Sequence, residues 1–207
     1  LQVDWELIPK RDADNFIDFL KKLKKGLGKK PLTVCVPARI KTLKNDVYDY
    51  KRIGKIADRI MIMAYDEHWT RGPAGSIASI KWCEKIADYA KTVWPTSKYI
   101  FGLPFYGRTW GSEPVTKAYA FNGMNRLAHE KDVVKIERED GVPYYTYKTE
   151  VTVKGWYEDA YSNVVRSRMY QEKGYDCIAF WRMGQEDEAV WDWIGNTKTG
   201  LKPYTQD

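Results

Sequence analysis

Short apolar runs alternate with amphipathic helical stretches along most of this chain, and that alternation limits the fold more than any other feature. Residues 32–36, Leu-Thr-Val-Cys-Val, lie between Pro31 and Pro37. Residues 59–66 are nearly continuous apolar sequence with a polar end, residues 99–107 form a further run, and residues 177–181 another. Runs this short and this apolar are expected of strands buried on both faces. Between them, Phe16, Phe19, Leu20, Leu23 and Leu27 keep the three-four spacing of a helix face, with Asp12 or Asp14 as cap and Gly26 and Gly28 as stop. Further helices are predicted over residues 49–57, 79–93, 160–173 and 186–194. Strand and helix in alternation argue for an α/β fold of parallel β-α units.

The alternation begins at residues 1–6, Leu-Gln-Val-Asp-Trp-Glu, read as a buried strand. Side chains alternate along a strand, so Gln2, Asp4 and Glu6 share one face and Leu1, Val3 and Trp5 the other. The order breaks between residues 110 and 159. There, loop signals lead into alternating residues at 133–137, a turn at Asp140-Gly141, and further alternation over 143–148 and 151–156. This predicts a small antiparallel insertion built from hairpins.

A length of 207 residues suits one domain with a substantial core. Nine Trp and fifteen Tyr are many for this length; core packing is their ordinary use, and stacking on sugar rings is another. The net charge of +6 owes much to Lys21, Lys22, Lys24, Lys25, Lys29 and Lys30. That cluster reads as the solvated face of one helix, and a basic surface would favour anionic partners such as acidic cell-wall polymers. No nucleic-acid motif accompanies it, and no apolar run is long enough to span a bilayer. Cys35, Cys83 and Cys177 are isolated and read as small buried hydrophobes. His68 and His129 are distant from each other and offer no metal-ligand set, so no metal is expected. The chain starts without Met and inside a strand, which places the expected start of the protein upstream.

The polar residues gather at the ends of the predicted strands: Asp4 and Glu6, then Tyr65 and Asp66, then Tyr106 and Arg108, then Trp181. In parallel α/β sheets and barrels, the carboxyl edge is where active sites are built. Each residue also has a plainer reading. Tyr106 can equally be core, Arg108 half of a surface ion pair, and Trp181 part of a barrel interior.

The motifs Val-Asp-Trp-Glu, Met63-Ala-Tyr-Asp66, Gly102-Leu-Pro-Phe-Tyr-Gly-Arg108 and Ala179-Phe-Trp-Arg-Met-Gly184 resemble, in this order, the signatures of glycoside hydrolase family 18. The similarity is greatest to the bacterial branch that includes spore-cortex-lytic N-acetylglucosaminidases. It implies a (β/α)8 TIM barrel, of which this chain would hold strands 4 to 8, with a small α+β insertion at residues 111–159 after strand 7. The first three β-α units would then lie outside the chain, to be supplied by a missing N-terminal barrel segment or by another copy of the chain.

In the family motif D-x-x-D-x-D-x-E the last residue is the proton donor. The resemblance puts it at Glu6 and the preceding Asp at Asp4. Gln2 stands where the motif has another Asp, a departure that lets it orient Asp4 by hydrogen bonding but carry no charge. Two carboxylates at i and i+2 on one strand face stand close together, and one tends to keep the shared proton. Glu6 can then act as general acid. An ordinary glycosidase sets its second carboxylate across the scissile bond, about 5 to 9 Å away, which a strand neighbour does not provide. The resemblance supplies the nucleophile instead: the substrate's own N-acetyl carbonyl oxygen.

On this reading Tyr65 donates its hydroxyl to the acetamido oxygen, Asp66 holds the bound sugar and Trp181 floors the pocket. Tyr106, Arg108 and Gln2 complete the substrate-binding set. No cofactor is implied. The expected activity is retaining hydrolysis of β-1,4-linked N-acetylglucosamine polymers, peptidoglycan before chitin, outside the cell in the wall or spore envelope. A lectin-like binding module on the same scaffold is the alternative, and a purely structural assembly or coat protein is a third. Retention of Glu6 favours the enzyme.

Overall fold

A computed structural model describes residues 1–111, 117–148 and 152–194. Its elements run β1 (Gln2–Val3), α1 (Ala13–Leu27), β2 (Thr33–Pro37), α2 (Tyr50–Gly54), β3 (Arg59–Met63) and α3 (Ile80–Val93). They continue with β4 (Tyr99–Pro104), β5 (Tyr106–Trp110), β6 (Lys117–Ala120), α4 (Phe121–Glu130), β7 (Glu137–Glu139) and β8 (Val142–Lys148). The last are β9 (Thr152–Trp156), α5 (Ala160–Glu172), β10 (Ile178–Trp181) and α6 (Val190–Ile194). The chain falls into two compact units. The first holds Leu1–Ala64, Glu84–Gly102 and Tyr170–Ala179; the second holds Tyr65–Cys83, Leu103–Met169 and the chain from Phe180.

The first unit is organised on a parallel sheet of order β1-β2-β3-β4-β10, whose last two strands run on into the second unit by chain continuity. β2 pairs with β3 from Thr33↔Arg59 to Pro37↔Met63, and β3 with β4 from Ile60↔Tyr99 to Met63↔Gly102. Phe101 N–H donates to Cys177 C=O at 3.0 Å, linking β4 to β10. Val34, Val36, Ile60, Ile62 and Phe101 are buried, because strands flanked on both sides and covered by helices lose contact with water on both faces. Phe16, Ile17 and Leu20 are the buried positions of α1, which Gly28 ends at φ +57°, a conformation open to glycine. Asp49 caps α2 by accepting from Arg52 N–H at 2.9 Å.

The opening strand is shorter and more open than its sequence suggests. β1 covers only Gln2 and Val3, Leu1 and Trp5 are exposed, and no residue from 1 to 6 is buried. β1 pairs with β2 alone, Gln2↔Thr33 and Val3↔Val34, at the edge of the sheet, so the burial expected from a neighbour on each side is not supplied. Cys177 departs from expectation too. It is half-buried, and its sulfur accepts a hydrogen bond from Arg59, whereas Cys35 and Cys83 are buried.

The second unit carries an antiparallel sheet of order β6-β5-β9-β8-β7. Asp140 and Gly141, at φ +48° and +80°, make the two-residue turn between β7 and β8, and both central residues of such a turn need positive φ. Residues 121–130, where the sequence reads as loop, are the helix α4, with Met124 and Ala128 buried. The final helix is shorter than expected and starts at Val190. Val151, the expected start of the last hairpin strand, lies outside the described residues. Tyr106 and Arg108 are not the tip of β4. Phe105 N–H donates to Trp181 C=O at 2.8 Å, and from Tyr106 the chain is β5, paired with β6 and β9.

Candidate active site

In the first unit Gln2, Asp4 and Glu6 are all exposed. Because Val3 stands opposite Val34, the next residues in parallel register are Asp4 and Cys35. Cys35 is 3% exposed, and its thiol lies within electrostatic reach of the Asp4 carboxylate. Burial first, then the nearby carboxylates of Asp4 and Glu6, push the thiol up to about 12, so it stays protonated and toward a carboxylate can act only as a donor. Reading residue types alone treats Cys35 as a small hydrophobe. The signal that identifies its role is strand register, which the sequence does not carry.

In the second unit Tyr65, Asp66, Tyr106 and Arg108 come together. Asp66 takes φ +57°, a left-handed conformation that Asp tolerates better than most residues. Its Oδ1 accepts from the Tyr106 hydroxyl at 2.7 Å and from Arg108 Nη2 at 3.1 Å and Nε at 3.3 Å. Arg108 Nη1 also donates to Thr70 Oγ1 at 3.1 Å, and its guanidinium carbon stands 5.5 Å from the centroid of the Tyr106 ring. The Tyr65 ring meets Tyr106 edge-on with centroids 6.4 Å apart. Burial, and then the Asp66 carboxylate, push the Tyr106 hydroxyl well above the ordinary phenol range, so it too is a fixed donor.

Of the plainer readings, Arg108 is indeed in an ion pair, with Asp66, and Tyr106 belongs to a buried cluster with Ile77, Trp110, Val142 and Trp156. Trp181 is 49% exposed, and the Trp181–Arg182 peptide is cis.

The loop after Asp66 is pinned at two points. Glu67 accepts from Ser79 N–H at 2.7 Å, and His68 Nδ1 lies 2.8 Å from Ser76 C=O. His68 is half-buried, and Gly75 is required beside its ring, since a Cβ there would stand 2.6 Å from it. Among the described residues no group of His, Cys, Asp and Glu could hold a metal ion, and no helix is long and apolar enough to cross a membrane.

Chemically, the first unit offers two exposed carboxylates at the end of a parallel strand, one of them backed by a buried thiol. The second offers a carboxylate oxygen that accepts from an arginine and a tyrosine and is oriented by them.

Residues 1–186 match the glycosyl hydrolases family 18. An uncharacterized glycosylase, YvbX, of Bacillus subtilis is 28% identical over 204 residues, covering 92% of this chain and 59% of its own length. A cortical fragment-lytic enzyme of Bacillus anthracis is 28% identical over 204 residues, covering 92% of this chain and 47% of its own. The crystal structure of the Bacillus cereus spore cortex-lytic enzyme SleL superposes with a TM-score of 0.84 at 26% identity, over 94% of this chain and 48% of that one. The chain thus spans about half the length of the relatives it matches.

Proposed function

This chain belongs to family 18 of the glycosyl hydrolases, and on that premise we propose that the protein carrying it cleaves β-1,4-linked N-acetylglucosamine polymers by a retaining, substrate-assisted route. Peptidoglycan of the spore cortex or cell wall is the preferred polymer and chitin the alternative, with the protein acting outside the cell. Glu6 donates its proton to the glycosidic oxygen as the C1–O bond breaks. The acetamido carbonyl oxygen of the same sugar bonds to C1, giving a cyclic oxazolinium ion, and Asp4 orients the acetamido N–H and offsets its charge. The Glu6 carboxylate then takes a proton from water, whose oxygen attacks C1 and restores the acetamide with net retention. Tyr65 hydrogen-bonds the acetamido oxygen, while Asp66, held by Tyr106 and Arg108, takes a sugar hydroxyl. Gln2 orients Asp4, and Trp181 offers an aromatic face to the ring.

What carries this reading is the pair Asp4 and Glu6, exposed at the carboxyl end of a parallel strand with a protonated thiol behind Asp4. We assign the parallel sheet to strands 4 to 8 of the barrel and residues 111–159 to an insertion after strand 7. The edge position of β1 then calls for a preceding barrel segment or a second copy of the chain beside it. The deciding experiment is Glu6→Gln in the intact protein, assayed by reducing-sugar release from peptidoglycan and from N-acetylglucosamine oligomers. We expect turnover to fall by about a hundredfold or more with oligomer binding retained. Unchanged release rules out Glu6 as the acid.

A further inference from the structure

Glu6 is followed by a turn that the backbone adopts reluctantly. Leu7 stands at φ +56°, in the left-handed region that bulky side chains avoid, and it is 94% exposed, so its own side chain packs on nothing that would hold it there. A hollow of about 340 Å³, lined by Trp5, Leu7, Ile8, Pro9, Phe16 and Phe19 among others, lies against the same turn and leaves it unsupported within this chain on that side.

The support comes from Tyr48. Its hydroxyl donates to Trp5 C=O at 2.8 Å and accepts from Ile8 N–H at 3.2 Å. One buried oxygen therefore ties the residue before Glu6 to the residue after Leu7. Tyr48 is itself fixed. Its ring is 7% exposed and meets Phe16 edge-on at 5.9 Å, and its N–H donates to Asp46 Oδ1 at 3.1 Å. Asp46 is gripped in turn by Arg39, through Nε at 2.7 Å and Nη2 at 3.1 Å, and Arg39 Nη1 donates to Ala38 C=O at 3.0 Å, just beyond the end of β2. The chain of contacts runs from the end of the neighbouring strand, through the side chains of Arg39, Asp46 and Tyr48, to the peptide groups at the two ends of the turn that holds Glu6.

We propose that Tyr48 is a positioning residue for Glu6, its hydroxyl clamping the strained turn Trp5–Ile8 so that the carboxyl is presented in one orientation. The proposal rests on the reading of Glu6 as proton donor. A general acid displaced by a fraction of its reach loses rate without losing substrate, because binding is made elsewhere. The clamp therefore acts on kcat and not on KM.

The test is Tyr48→Phe in the intact protein, which removes the oxygen and keeps the ring. Hydrogen exchange at the Ile8 amide should accelerate by about tenfold or more, while amides within α1 keep their rates. Turnover of an N-acetylglucosamine oligomer should fall by about tenfold or more with KM within about twofold of the parent. Phe16→Leu, which loosens the ring packing but keeps the hydroxyl, should lower the melting temperature and cost less rate than Tyr48→Phe. Leu7→Gly in the Tyr48→Phe background should recover part of the lost rate, since glycine takes the left-handed turn unaided. Unchanged Ile8 exchange, or a loss that appears in KM alone, or no recovery with glycine, overturns the clamp. Turnover that survives Glu6→Gln overturns the catalytic role instead, and the Ile8 exchange result separates the two failures.

Discussion

In the first unit Asp4 and Glu6 stand exposed, and among the described residues no ion pair is made to either; in the second unit Asp66, Asp159 and Glu158 are each held by an arginine. The contrast separates two uses of one functional group. A carboxylate seated on a guanidinium is fixed in direction, which suits a structural tie or a hydrogen-bond acceptor for a substrate. Among the described residues Asp4 and Glu6 have no such anchor and are placed by the backbone that carries them. In the proposed mechanism Glu6 is the general acid and Asp66 holds substrate, so the two kinds of carboxylate are given different work.

The extreme of the held kind is Glu158. It and Arg166 are 1% and 0% exposed, Arg166 Nη2 donates to Glu158 Oε2 at 2.5 Å, and Ser162 donates to the same oxygen at 2.7 Å. Burial lifts the Glu158 carboxyl to about 7 against the pull of Arg166 and Ser162. Arg166→Met removes the strongest of those pulls and strands the carboxyl, so its folded-state value rises further. For an acid whose folded value exceeds its unfolded one, stability is fully present below the unfolded value, 4.5 for an unperturbed Glu, and is lost as pH climbs through the folded value. Arg166→Met should therefore cost about 3 to 5 kcal/mol at pH 8 and distinctly less at pH 5. Urea unfolding at the two pH values measures this; an equal loss at both would show that Glu158 is not the group left exposed to the penalty.

An intermediate effect is expected at the half-open pair. Asp66→Asn keeps an acceptor oxygen for Tyr106 but removes the charge that Arg108 answers. Asp66 is partly exposed, so the loss of folding stability should stay below about 1 kcal/mol. The sugar-holding role is more sensitive, because a charged acceptor is replaced by a neutral one, and KM for N-acetylglucosamine oligomers should rise by about tenfold. Steady-state kinetics with a thermal melt separates the two; a variant with wild-type KM removes Asp66 from the binding set.

Much of the scaffold was legible because its signals are local. Strands covered on both faces must be apolar throughout, and β2 and β3 are, so each could be placed within a few residues. Gly28 and the Asp140-Gly141 turn needed backbone conformations that few other residues adopt. The helix α4 was hidden by Asn122-Gly123, a pair that reads as a turn, although Phe121, Met124 and Ala128 keep helical spacing. What could not be read was pairing. The shortness of β1 follows from having one neighbour instead of two, and the placing of Tyr106 and Arg108 follows from Phe105 ending the parallel register. The strand-end motif residues were visible as letters. Their supports, Cys35 and Tyr48, lie 31 and 42 positions from Asp4 and Glu6, and only register and loop closure bring them near.

The smallest effect should fall on Cys35, and it tests the same contrast at its open end. Cys35→Ala deletes a buried sulfur and with it a side-chain donor of β2 near Asp4. A hydrogen bond of this kind contributes about 1 kcal/mol, so kcat should drop by roughly two- to tenfold with KM little changed. Cys35→Ser returns a donor of similar reach and should recover most of the rate even where it lowers the melting temperature, because a hydroxyl is harder to bury than a thiol. If both variants keep the full rate, the thiol is packing and Asp4 is oriented by Gln2 and substrate alone. If serine restores what alanine loses, an uncharged donor at position 35 is what orients Asp4, whereas Asp66, Asp159 and Glu158 are oriented by arginine.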